Sequence, residues 1–232
     1  MSIKKADQNL VRPNVFLIVA LILCCSATVV AGVVDFSPGL LRYVTNQWGK
    51  SGEERLVNWR TLELSALLKH QVSRTPQVID KTTLQAFNIF WNKVPYYSDL
   101  EHWGMDDYWA SPVEMQASNG GDCEDYSIAK YFSLRELGIP VQNIRITYVR
   151  ALKLNVAHMV LAYYPTPDAD PYILDNLTDK LLPASERTDL EPVYSFNDED
   201  LWAAGAASFK GKSSQIRLWR ELLDKMEKER HM

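Results

Sequence analysis

Ser118-Asn119-Gly120-Gly121-Asp122-Cys123-Glu124-Asp125-Tyr126 is a glycine turn that runs into a helix on a cysteine flanked by carboxylates. Gly120 and Gly121 can take positive φ and let backbone approach closely, as a turn feeding a buried helix N-terminus requires. Asp122 reads as the N-cap, and Glu124 and Asp125 fall in the first turn, where negative charge is favoured. Ile128, Tyr131, Phe132, Leu134 and Leu137 form a broad apolar face, and Gly138 followed by Pro140 stops the helix. A thiol in that first turn meets the positive end of the helix dipole, which favours a nucleophilic thiolate. Its three carboxylate neighbours oppose this, so the stretch calls for a cation or a basic partner close by.

Upstream, Ser111-Pro112-Val113-Glu114 has the grammar of a helix start, with Ser as cap, Pro in the first position and Glu closing a capping box. That short helix delivers Gln116 just before the glycine turn. Residues Glu53 to His70 and Asp80 to Val94 carry apolar residues at helical spacing, broken by Thr75-Pro76. Val34 to Gly52, with Pro38, Gly39, Gly49 and Gly52, reads as an irregular connector. Between Val94 and Trp109 lies a loop rich in aromatics and acids. It is either a satellite hydrophobic cluster or a binding wall, with Trp103 to Trp109 as a candidate docking face.

Downstream the hydrophobic period changes. Ile144, Ile146 and Tyr148 alternate with Arg145, Thr147 and Val149, and Val156 to Tyr164, Tyr172 to Asp175 and Val193 to Phe196 supply further strands. Ser213 to Lys228 is an amphipathic helix. The spacing places His158 on one strand face with Val160 and Ala162, and Asp175 on one face with Ile173. Two neighbouring strands can therefore set an imidazole beside a carboxylate. Nucleophilic catalysis by a thiol needs that pair, a base to take the proton and return it to the leaving amine, and a carboxylate to fix the base's tautomer.

The 232 residues, 47% hydrophobic and 23% charged, suffice for one globular core. A formal charge of −4 and an isoelectric point near 5.6 leave no basic footprint, which excludes nucleic acid as a partner. Lys4, Lys5 and Arg12 precede the apolar run Val15 to Cys25, with small residues at Ser26, Ala27, Ala31 and Gly32. Residues 1–33 are read as a signal peptide or an uncleaved N-terminal membrane anchor, either of which sends the body outward. A lipidated Cys24 is disfavoured by Leu23 before it. Residues 50–232 form one domain. With the leader set aside Cys123 is the only cysteine, either a buried bystander or a reactive thiol, and its place at a helix start favours reactivity.

Gly121-Asp122-Cys123-Glu124-Asp125-Tyr126, Ala157-His158-Met159-Val160 and Leu174-Asp175-Asn176 together resemble the bacterial transglutaminase-like cysteine proteinases, over roughly residues 50 to 200. The resemblance implies an α+β fold with a transglutaminase-like, papain-like core, the cysteine at the N-terminus of a helix packed on an antiparallel sheet. It implies Cys123 as nucleophile, His158 as general base and acid, and Asp175 as orienter. The Cys123 amide is the candidate oxyanion donor, with Gln116 as a second candidate or a solvated helix residue. Within the family the nearest likeness is to calcium-dependent periplasmic proteases that release large surface adhesins in biofilm dispersal, under the control of an inhibitory inner-membrane cyclic di-GMP receptor. Asp122, Glu124 and Asp125 are the candidate Ca2+ ligands, because calcium accepts several carboxylate oxygens in irregular geometry whereas zinc would want histidine or thiolate. Their other reading is a cap and two residues that complement the dipole. Two functions compete: acyl transfer to an amine by the same triad, and a non-catalytic calcium-dependent binding module.

Overall fold

The computed structural model describes residues 36–72, 79–204 and 211–232. The leader over residues 1–33 and the Thr75-Pro76 break lie outside them. Among the described residues no helix is long and apolar enough to cross a membrane.

The fold is a layer of helices on one face of a seven-stranded antiparallel sheet. Helix α1 is Pro38–Val72, α2 Lys81–Asn92, α3 Asp99–His102, α4 Pro112–Ser118, α5 Cys123–Glu136 and α6 Arg217–Arg230. The strands are β1 Ile144–Ala151, β2 Val156–Tyr163, β3 Tyr172–Asp175, β4 Thr178–Pro183, β5 Leu190–Phe196, β6 Asp200–Ala203 and β7 Gly211–Lys212, in the order β4-β3-β2-β1-β5-β6-β7. The longest strands, β1 and β2, lie near the centre and pair Ile146 with Leu161 and Val149 with His158.

Helix α5 is the hub, packed on β1, β2 and β3 and flanked by α2 and α4. Ten of its fourteen residues are buried, including the polar Ser127, Lys130 and Ser133. A helix buried all round must satisfy those polar groups internally. Ser127 Oγ donates to the Cys123 carbonyl, Lys130 Nζ to Asn92 Oδ1, and Ser133 Oγ accepts from the indoles of Trp59 and Trp91. The C-terminal helix α6 closes the core through Trp219, which stacks on Phe132 and sits edge-on to Phe196 and Tyr131.

Two expectations about the chain are corrected. The stretch read as a connector from Val34 is helical from Pro38: Ser37 Oγ accepts the Leu40 amide and Pro38 occupies the first helical position. Gly49, at φ 72°, breaks α1 into two segments, so the glycine marks a kink inside a helix. The rings at the far end of the aromatic loop also turn inward, while Tyr96 and Tyr97 stay exposed. Trp109 is buried and stacks on Phe196, while Trp103 and Tyr108 pack on each other, so their rings do not form an exposed docking face.

Candidate active site

The glycine turn is built by close approach. Asn119, at φ 62°, takes the left-handed position at the end of α4, and neither Gly120 nor Gly121 has positive φ. A Cβ on Gly120 would lie 2.5 Å from the His102 ring, and one on Gly121 would lie 2.7 Å from Asp125 Oδ2. The glycines are required because α3 and the first turn of α5 press against the turn, not for backbone handedness as the sequence suggested. His102 is itself fixed, stacked on Tyr97 and bonded through Nε2 to Ser118 Oγ at 2.8 Å.

Asp122 occupies the N-cap backbone position, and the Asp125 carboxylate reaches back to accept its amide at 3.2 Å and that of Ala110 at 2.7 Å. These bonds hold Cys123 at the first position of α5, where backbone amides have no intrahelical acceptor. Cys123, His158, Asp99, Asp122 and Glu124 line one cleft of about 540 Å³. The thiol donates to Glu124 Oε2 at 3.0 Å. Burial, then the Glu124 charge and hydrogen bond, then Asp122, push the thiol pKa strongly upward, against a Met159 amide that donates to the sulfur.

His158 and Asp175 meet where β3 ends beside its antiparallel neighbour β2. Nε2 lies 2.8 Å from Asp175 Oδ1, both side chains almost wholly buried. Oδ1 also accepts the Leu177 amide at 2.9 Å, and Oδ2 accepts Arg187 Nη2 at 2.6 Å. Burial acts to raise the Asp175 pKa, but the His158 bond and charge, the Leu177 amide and Arg187 outweigh it and hold the carboxyl at about 2. An ionised acceptor assigns the imidazole proton to Nε2, which leaves Nδ1 as the free lone pair.

Three supporting residues carry no signal in the sequence. Arg187, from the loop after β4, clamps Asp175 and is itself held by Asp189. Asn92 donates to the Asp175 carbonyl at 2.9 Å and accepts Lys130 Nζ at 2.7 Å, which ties the strand of the carboxylate to the helix of the thiol. Lys130, two turns along α5 from Cys123, is fully buried. Its pKa is pushed down to about 7 by that burial, against the charges of Asp175 and Asp179. Gln116, the candidate second oxyanion donor, is not among the cleft residues. Its Nε2 reaches the Arg55 carbonyl at 3.3 Å, because α4 turns it toward α1.

The acidic cluster is larger than the three residues read from the sequence. Carboxylate oxygens of Asp99, Asp122 and Asp125 lie within 4.8 Å of one another, as do those of Asp99, Asp107 and Glu124. Asp99 Oδ1 and Asp122 Oδ1 are buried without a hydrogen-bond partner. Burial, with the charges of Glu124 and Asp125, pushes Asp122 up to about 10; burial, with Glu124 and Asp107, pushes Asp99 up to about 6. Converging, unsatisfied carboxylate oxygens are the donor set of a hard divalent cation, so the residues fit calcium. Asp99 and Asp107 lie more than twelve residues before the cysteine, and only the one-turn helix α3 and the loop after it bring them in.

A family model described as bacterial transglutaminase-like cysteine proteinase BTLCP matches residues 64–203. The chain belongs to that family. Among solved structures, EGTA-treated Legionella pneumophila LapG is 41% identical, with a TM-score of 0.68 over 81% of this chain and 96% of that one. Calcium-bound LapG of the same organism is 40% identical, with a TM-score of 0.66 over 81% and 97% of the two chains. No curated protein matches. As a transglutaminase-like cysteine proteinase, the chain is a cysteine protease with a mixed helix and antiparallel-sheet fold, and its substrate is protein.

Proposed function

We propose that this protein is a calcium-dependent periplasmic endopeptidase that cuts the N-terminal region of a large cell-surface adhesin, releasing it and promoting biofilm dispersal. The observation that carries the reading is the opening of Cys123 and His158 onto one cleft, with Asp175 bonded to the imidazole and an acidic cluster beside the thiol. Likeness to LapG, solved both calcium-bound and after EGTA treatment, supports it. The partner that restrains it is an inner-membrane cyclic di-GMP receptor, and the basic-then-apolar sequence of residues 1–33 supports an exported location.

In this mechanism Nδ1 of His158 takes the thiol proton while Asp175 keeps the other ring nitrogen protonated. The sulfur attacks the scissile carbonyl carbon, and the amide at the start of α5 faces the oxyanion that forms. The imidazolium then protonates the leaving amine, and water attacks the thioester with His158 again as base. Asp99, Asp107, Asp122, Glu124 and Asp125 are the residues that would hold calcium. The bound ion supplies positive charge against the field that otherwise keeps the thiol protonated. Mass spectrometry of a surface adhesin incubated with the protein, with calcium or with chelator, tests the reading. A calcium-dependent N-terminal fragment is expected, whereas incorporation of a labelled amine without a fragment would establish acyl transfer instead.

A further inference from the structure

The sheet does not hold Asp175 by itself. The β2–β3 ladder ends at the Leu161–Leu174 pair, one residue short of Asp175, and on the other side Asp175 meets Thr178 of β4 only past an irregularity in the register. A residue outside the sheet takes up its main chain. Asn92, the last residue of α2, donates through Nδ2 to the Asp175 carbonyl at 2.9 Å, to Asp179 Oδ1 at 2.9 Å and to the Thr178 carbonyl at 3.3 Å. All three partners are acceptors, so the amide can meet them only with its nitrogen, and its oxygen must point the other way.

That oxygen meets Lys130. Ser127 and Lys130 follow Cys123 at +4 and +7 on α5, which puts the ammonium and the thiol on one face of the helix, about two turns apart. Lys130 is fully buried, and among the described residues the only hydrogen-bond acceptor of its Nζ is Asn92 Oδ1, at 2.7 Å. The Tyr126 ring, 5.7 Å away, and the charges of Asp175 and Asp179 are its further support. A methionine would fill the same space without desolvating a charge, so the ammonium adds little to stability. What it supplies is a donor fixed to the helix of the nucleophile.

We propose that Lys130 is a positioning residue for the catalytic triad: its ammonium holds the Asn92 side chain, and Asn92 holds the Asp175 main chain where the carboxylate meets His158. Neither residue is among those that line the cleft, so the pair acts through Asp175. Without this strut the end of β3 is free to shift, and a displacement of about 1 Å at a reacting group can cost about 10²-fold in rate.

Lys130→Met, Asn92→Ala and the double variant test this on the full chain with calcium present. Each single variant should lower kcat for cleavage of an adhesin fragment by about tenfold or more, with KM within about twofold of the wild-type value. Each should also slow alkylation of Cys123 by iodoacetamide by about tenfold, because the imidazole that takes the thiol proton is no longer held in place. The kcat measurement rests on the adhesin reading, whereas alkylation needs no substrate and decides the matter even where that reading fails. The double variant should be no slower than the slower single one, since both changes remove the same strut. Lys130→Met should keep or raise the urea midpoint, and Asn92, only half-buried, carries the test through Asn92→Ala if Lys130→Met does not fold. Wild-type alkylation in either single variant, losses that multiply in the double variant, or a rate loss that merely tracks a lowered urea midpoint would each overturn the proposal.

Discussion

Glu63 offers a stability test that is independent of catalysis. It lies on α1, 3% exposed, with Oε1 accepting the Trp59 indole at 2.6 Å and Oε2 buried without a partner. Burial dominates its environment, opposed by the bonds to Ser133 and Trp59, and pushes its pKa from 4.5 up to about 8. The folded state therefore holds a proton that the unfolded chain releases. The stabilising contribution of that proton is complete below pH 4.5 and is lost as pH rises through 8. With those two values the loss is about 1 kcal/mol at pH 5 and about 4 kcal/mol at pH 8, a change of about 3 kcal/mol. Glu63→Gln keeps the acceptor for Trp59 and has no proton to lose, so its own contribution is flat. Urea unfolding of both proteins at pH 5, 6, 7 and 8 isolates the effect, since the other titrating groups are shared and cancel in the difference. The variant should gain on the wild type steadily with pH and reach about 3 kcal/mol of relative gain by pH 8. A difference that stays constant within about 0.5 kcal/mol across the range would refute a buried, protonated Glu63.

Cys123→Ala and His158→Ala should each remove nearly the whole peptidase rate with circular dichroism unchanged, because groups acting as one relay are non-additive; wild-type activity in Cys123→Ser would exclude a thioester. Asp175→Asn should lower kcat by about 10⁴-fold, the loss found when the orienting carboxylate of such a triad is neutralised. The same carboxylate, held at about 2, contributes about 2 kcal/mol that is present above pH 3.8 and lost as pH falls through 2, so the acid limb of the unfolding curve should flatten in the variant. Gly120→Ala drives a methyl into the His102 ring and should cost about 1–3 kcal/mol in urea unfolding; a neutral result would show that the ring can move aside. Asp99→Asn should weaken calcium binding in calorimetry by about tenfold or more, and unchanged affinity would remove Asp99 from the ligand set.

The parts of the fold that were legible were those written in local pattern. The Ser111-Pro112-Val113-Glu114 capping box, the apolar rows of α2 and α5 and the alternation of β1 through β3 each fix an element from residues within a few positions of one another. The Ser37-Pro38 start of α1 was hidden by Gly39 and Gly49, which punctuate a helix as readily as a loop. Strands β4 and β6 were missed because Thr178–Pro183 and Asp200–Ala203 are half-exposed and lack an apolar alternation. At the site, the three chemical residues were visible from type and order, while their supports were not. Arg187 and Asn92 act through contacts made only after the sheet has assembled. Gln116 failed for a related reason: sequence distance to the cysteine says nothing about which way a short helix turns its side chains.

One residue type takes two roles around the cysteine, and the hydrogen-bond donors around each carboxylate decide which role it takes. Burial acts on Asp175 and on Asp99 and Asp122 in the same direction. Asp175 has the imidazole, a backbone amide and a guanidinium on its two oxygens, so it stays ionised with the protein's own groups. Asp99 and Asp122 each leave a buried oxygen with no donor at all. The cluster has backbone amides on one Asp99 oxygen and on Asp125, but no charged donor, so its two unpartnered oxygens are the ones a cation would satisfy. The two systems share no hydrogen bond, so loss of the ion should silence turnover without disturbing the pair that prepares the base. A proton on His158 Nε2, held by an ionised, buried Asp175, should give a slowly exchanging downfield resonance. That resonance should survive EGTA treatment that abolishes peptidase activity; its loss with the activity would mean that the cation also organises the His158–Asp175 pair.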